Sequence, residues 1–148
     1  MGLLDNYTGI GMSPRPKWQH QRLMDSLYYY SFEELKEQDL FMLTEATVTD
    51  EWDDIAPDLV IFDEQYHPLT IIEITTHREV KKIINKCYEL IERFPLAEYF
   101  MYDYENKILY MYDAEYDRWL SSEENDLYSR YLSKPLQTYF ENQQREES

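Results

Sequence analysis

Leu69-Thr70-Ile71-Ile72-Glu73-Ile74-Thr75-Thr76 is a run of apolar and β-branched residues interrupted by a single charge. Residues of this type favour an extended strand. An unpaired carboxylate in such a strand costs several kcal/mol to bury, so Glu73 requires a partner. A second apolar run, Leu59-Val60-Ile61-Phe62, precedes it across the turn-like stretch Asp63-Glu64-Gln65-Tyr66-His67-Pro68, and the two runs read as a hairpin. Closed symmetrically around Gln65 and Tyr66, the hairpin sets Phe62 against Leu69, Val60 against Ile71 and Asp58 against Glu73. Directly opposed side chains have Cβ atoms roughly 4.5 to 5.5 Å apart, and two carboxylates at that distance repel unless a cation lies between them. A Mg²⁺ or Mn²⁺ ion, which prefers hard oxygen ligands and keeps positions for water, would satisfy both. Two blander readings stand beside this one. Pro57-Asp58 can open a strand for turn reasons alone, with Glu73 turned to solvent or paired with a lysine. A register slip of one residue would also send the two acids to opposite faces.

Working outward, residues 78 to 93 have helical spacing, with Val80, Ile83, Ile84, Cys87, Leu90 and Ile91 on one side and Pro95 just past the end. Lys82 and Lys86 are four apart on that helix and share a face. Hydrolysis of a phosphodiester needs a positive group near the attacking water or the phosphate, and either lysine could supply it; a solvated lysine pair on an ordinary amphipathic helix has the same spacing. Residues 97 to 103 and 107 to 113 form a second strand pair around Tyr104-Glu105-Asn106. Upstream, Trp18, Leu23, Leu27, Tyr30 and Leu35 mark a one-faced helix from Lys17 to about Gln38. Residues 40 to 49 read as a strand, and the acidic run Asp50-Glu51-Trp52-Asp53-Asp54 as a loop that either solvates the surface, as charged turn residues usually do, or adds a metal ligand. In the tail, Ser121 and Glu124 have capping-box spacing, and Pro135 divides whatever helix follows. The alternation of helices and strands predicts an α/β fold, a mixed central β-sheet flanked by helices.

The chain has 148 residues, 30 acidic against 14 basic, for a formal charge of −16. One domain, residues 1–148, fits this length, with residues 1–16 as a loose leader ending in Ser-Pro-Arg-Pro and about 140–148 as a frayed tail. All three glycines, Gly2, Gly9 and Gly11, lie in the first eleven positions. Walker, dinucleotide-binding and nucleophile-elbow motifs, which need glycines beside a strand and helix, are excluded. Cys87 is alone, so it forms neither an internal disulfide nor a cysteine-rich zinc site. With no signal-peptide pattern and no apolar run of membrane-spanning length, a soluble, cytoplasmic protein is expected.

The succession Ala56-Pro57-Asp58-Leu59-Val60, Ile71-Ile72-Glu73-Ile74-Thr75, Lys86 in a helix, and Ala97-Glu98-Tyr99-Phe100-Met101-Tyr102-Asp103 resembles the PD-(D/E)XK nuclease superfamily, and more narrowly its Uma-type restriction endonuclease family. In that family the lysine usually found two residues after the strand glutamate has moved into the following helix. Thr75 stands at the vacated position here and Lys86 in the helix. The helix beginning Trp18-Gln19-His20-Gln21-Arg22 resembles the family's first. The chain departs from the pattern in having Thr75-Thr76-His77 where Ser-Pro-Ser is common, and Lys82 where an acid precedes the helix lysine. The resemblance implies a restriction-endonuclease-like core in which Asp58, Glu73 and the main-chain carbonyl of Ile74 hold one or two Mg²⁺ ions. Lys86 would orient the attacking water or neutralise the transition state, with Lys82 as its substitute, and His20 or Gln21 could reach the site from the first helix.

A charge of −16 opposes binding to a polyanion, since nucleic-acid affinity comes largely from Lys and Arg contacts to phosphate. The bases are clustered, however. Arg15, Lys17 and Arg22 lie in residues 12–22, which contain no acid, and five more lie in residues 77–93 against three acids. If both stretches border one cleft they form a local basic patch on an acidic body, although plain solvated helix faces give the same count; DNA binding is expected to be weak and salt-sensitive unless a homodimer or a protein partner completes the groove. Two other functions fit the composition. A nuclease-like domain without catalysis could serve as a protein-binding or assembly module, in which case Lys86 points to solvent. An acidic DNA mimic would spread its acids over one face, with no lysine converging on them.

Overall fold

The structure, a computed structural model, describes residues 18–45 and 57–147, with the side chains of residues 142–147 left aside. The expected leader, the far half of the strand expected over 40–49 and the acidic run at 50–54 lie outside the described residues. Elements follow in the order α1 (Trp18–Glu37), β1 (Phe41–Thr44), β2 (Leu59–Phe62), β3 (Pro68–Thr75), a single 3₁₀ turn (His77–Glu79), α2 (Val80–Arg93), β4 (Glu98–Asp103), β5 (Ile108–Asp113), β6 (Arg118–Ser121) and α3 (Leu136–Glu147). The six strands form one sheet in sequence order. Every pairing is antiparallel except β3 with β4, whose connection is the α2 crossover a parallel pair demands.

Because side chains alternate along a strand, the sheet feeds two cores. On one face Leu59, Ile61, Ile72, Ile74, Phe100 and Tyr102 pack beneath α1, through Met24, Leu27 and Leu35, and beneath α3, through Leu136, Tyr139 and Phe140. The Ser26 hydroxyl ties these two helices by donating to the Tyr139 carbonyl at 2.6 Å. On the other face Val60, Phe62, Ile71 and Tyr99 pack against Cys87 and Leu90 of α2. All four residues of β2 are buried, and complete burial of such a side chain contributes roughly 1.5 to 3 kcal/mol.

The hairpin register is as expected over Val60↔Ile71 and its neighbours Leu59↔Ile72 and Ile61↔Thr70. It slips at the turn, where Phe62 faces Pro68 and not Leu69. The cause is local: the Asp63 carboxylate accepts from the Gln65 and His67 N–H groups at 2.9 Å each, tightening the loop, and Pro68 has no N–H with which to extend the ladder. The capping-box reading of Ser121 is also corrected. Ser121 ends a strand, and its hydroxyl accepts from the Glu123 N–H within a turn. The strand β6 itself was not anticipated. The tail helix starts directly after Pro135, so proline precedes it instead of dividing it.

With no glycine beyond residue 11, the turns are made by other residues. Asp39, Glu45, Tyr66, Lys107 and Asp117 stand at φ between 48° and 65°. Asp39 closes α1, where the Leu40 N–H reaches back to the Leu35 carbonyl at 2.9 Å. Asp103 shapes the β4–β5 turn by accepting from the Glu105 and Asn106 N–H groups.

Candidate active site

Three elements meet at the end of the β2–β3 hairpin. Asp58 directly precedes β2, Glu73 lies in β3, and Lys86 lies in the middle of α2. The opposition read from the sequence is present. The Asp58 N–H donates toward Glu73 Oε1 at 3.4 Å, and Asp58 Oδ2 accepts from the Ile74 N–H at 2.7 Å. From the β1 side, the Glu45 N–H bonds the Asp58 carbonyl at 2.7 Å, so the backbone of Asp58 is held on both sides.

Glu73 points to the α2 face. Its side chain is 2% exposed, and its Oε2 lies 3.0 Å from Lys86 Nζ. Burial pushes the Glu73 carboxyl up to about 7, Lys86 acts against that shift and Asp58 adds to it. Lys82, the alternative lysine, is well exposed and lies 3.8 Å from Glu79 Oε1, so Lys86 is the one that faces the carboxylates. From the first helix, His20 Nε2 lies 3.1 Å from Asp58 Oδ2, and this bond raises the histidine above its ordinary value. Gln21 turns elsewhere, donating to Asp25 at 3.0 Å.

Tyr99 was not anticipated as part of this cluster. Its hydroxyl donates to Glu73 Oε2 at 3.3 Å, and burial, with Glu73 beside it, raises the phenol well above its usual value. The signal was a tyrosine in an otherwise apolar strand, since a buried hydroxyl needs a partner. Beneath the same carboxylate the buried Cys87 thiol is pushed up by desolvation, which removes its reactivity as a nucleophile.

The other acids of the strands are committed locally. Glu98 accepts from the Thr70 hydroxyl at 2.8 Å, the Ser129 hydroxyl at 2.7 Å and the Arg130 N–H at 2.6 Å. Asp103 is occupied by its turn and by His77 Nδ1 at 3.0 Å.

No group of three or more His, Cys, Asp or Glu side chains suited to a metal ion occurs among the described residues. The oxygen donors that do converge are two carboxylates and the main chain of Ile74. Along β3 the Thr75 carbonyl bonds the Tyr104 N–H on the β4 side, while the Ile74 N–H faces Asp58. Strand alternation therefore puts both main-chain polar groups of Ile74 on the Asp58 edge. This hard, oxygen-only set fits an ion such as Mg²⁺ that retains water ligands, and does not fit a closed zinc site.

No family model and no curated protein matches the chain. Among solved structures, the chain is similar to a crystal structure described as that of "a putative nuclease belonging to DUF820" from Anabaena variabilis ATCC 29413, with a TM-score of 0.59 and 15% identity over 86% of this chain and 83% of that one. The likeness is one of fold: a mixed sheet flanked by helices. No helix among the described residues is long and apolar enough to cross a membrane.

Proposed function

We propose that the chain is a Mg²⁺- or Mn²⁺-dependent endonuclease of the Uma-type PD-(D/E)XK group that hydrolyses DNA phosphodiester bonds by direct attack of water, with no covalent intermediate. One observation carries this reading: the Lys86 ammonium meets the Glu73 carboxylate at 3.0 Å, beside Asp58, and does not point to solvent as in a purely structural module. Asp58, Glu73 and the Ile74 carbonyl would hold the ion. When bound, it would lower the pKa of a coordinated water and neutralise charge building on the phosphate.

The remaining work falls to the chain's own groups. Lys86 opposes the burial that favours protonated Glu73 and places a positive charge where the nucleophilic water and phosphate meet. Tyr99 fixes the rotamer of Glu73, and the Ile74 N–H fixes that of Asp58. His20 balances the charge of Asp58 and offers a proton donor on the side opposite Lys86. The charge of −16 on the whole chain makes DNA binding weak and salt-sensitive, and a second copy or a partner protein would complete the groove. A reducing cytoplasm suits the lone buried thiol.

The test is Mg²⁺ and Mn²⁺ titration calorimetry on wild type, Glu73→Ala and Lys86→Ala, paired with nicking of supercoiled plasmid at low salt. Metal binding lost in Glu73→Ala, with nicking lost in both variants, supports the nuclease. A wild type that binds no metal and nicks nothing rejects it in favour of a nuclease-like fold retained for protein interaction.

A further inference from the structure

The first two turns of α1 present different residues to two places. His20 reaches Asp58, while Trp18 and Arg22, one turn apart, line a separate cavity of about 190 Å³. Tyr102 and Phe140 also line it, their rings stacked at 4.5 Å and 8°, and Tyr104 and Lys107 line it from the β4–β5 turn. The position of Lys107 is fixed by its backbone: φ is 57°, and its carbonyl accepts from Gln137 Nε2 of α3 at 2.8 Å. Glu141 is the one acid among the lining residues. On a chain carrying −16, this is a place where bases outnumber acids and where an indole stands 57% exposed.

Aromatic faces beside cations are the composition that binds unpaired nucleotides, because every base has a face to stack and every phosphate a charge to meet. The cavity and the Asp58 carboxylate lie on two sides of one helix. A helix is roughly 10 Å across with its side chains, about three base steps at the ~3.4 Å rise of one strand. We propose that the cavity is a subsite for an unpaired nucleotide of the DNA strand being cut, its base stacked on Trp18 and its phosphate met by Lys107. This rests on the nuclease reading above and adds a substrate class to it: single-stranded or locally opened DNA is preferred to closed duplex.

The test is binding of the full chain, in EDTA, to a labelled oligothymidylate of about 10 nucleotides and to a duplex of the same length, read by fluorescence anisotropy. Wild type is expected to favour the single strand. Trp18→Ala weakens that affinity about tenfold and Trp18→Phe largely restores it, with the exposure of Trp18 leaving the fold unaffected. Lys107→Glu also weakens it. Single-strand affinity unchanged in both Trp18→Ala and Lys107→Glu, or no preference over duplex in wild type, overturns the subsite. The two readings fail separately. Plasmid nicking that is lost in Glu73→Ala, with Trp18 irrelevant to binding, removes the subsite and leaves the nuclease. Trp18-dependent binding without any nicking keeps the nucleotide site and removes the nuclease.

Discussion

Asp58 and Glu73 are joined through the backbone of the opposite strand: the Asp58 N–H bonds the Glu73 carboxylate, and Asp58 Oδ2 accepts from the N–H of Ile74, the residue after Glu73. This reciprocal arrangement lets two acids sit side by side, because each carboxylate is answered by a donor belonging to the other strand. Lys86 then supplies a positive charge, and His20 a second one when protonated.

Glu73 leaves a signature in the pH dependence of stability. Its carboxyl is raised by burial from 4.5 to about 7 in the folded protein, so the fold binds a proton that the unfolded chain releases. That contribution is fully present below pH 4.5 and is lost as the pH rises through about 7. Relative to Glu73→Gln, wild type is expected to lose stability across this window. Urea midpoints of the two proteins between pH 4.5 and 8 check it, and parallel profiles would show that Glu73 titrates normally.

His20 contributes with the same sign from a different cause. Its bond to Asp58 raises it above 6.5, and stability from the pair is fully present below pH 6.5 and lost as the pH passes the raised value. The imidazole carbon–proton resonances of His20 should titrate above 6.5 in wild type and return toward that value in Asp58→Asn. No change in the variant would mean that the contact with Asp58 does not form in solution.

Glu98 should behave as a purely structural acid. Glu98→Ala leaves the Thr70 and Ser129 hydroxyls and the Arg130 N–H without their acceptor, at a cost of about 3 kcal/mol. Thermal unfolding is expected to show that loss, while metal affinity of the folded fraction stays at the wild-type value. A fall in metal affinity at full stability would instead place Glu98 in the site.

The placement of Asp58 against Glu73 was legible because both lie in one hairpin, and the period of two in a strand leaves only the register to decide. Lys86 was legible through its resemblance to a displaced lysine, since helical spacing alone treats it and Lys82 alike. The slip at Phe62 was not legible, because it depends on how the Asp63 side chain bonds its own loop. Nor was β6. Arg118-Trp119-Leu120-Ser121 is too short to show a period and is a strand only because β5 offers an edge. Tyr99 and Glu98, adjacent on β4, differ in fate because one faces α2 and the other the segment at residues 129–130, a contact no local pattern encodes.

The left-handed turns carry a consequence for the energy of the whole molecule. A residue with a Cβ in that region is disfavoured by roughly 1 to 2 kcal/mol, and five such positions occur among the described residues. Tyr66 offsets its share by resting its ring on Phe41, with centroids 5.3 Å apart, and Asp117 by accepting from the Tyr112 hydroxyl at 2.7 Å. Asp39, at φ 61°, serves the end of α1 through its backbone. A glycine there would relax the helix end without replacing any side chain around Asp58 and Glu73, so the thermal tolerance of the fold can be adjusted apart from its carboxylate cluster.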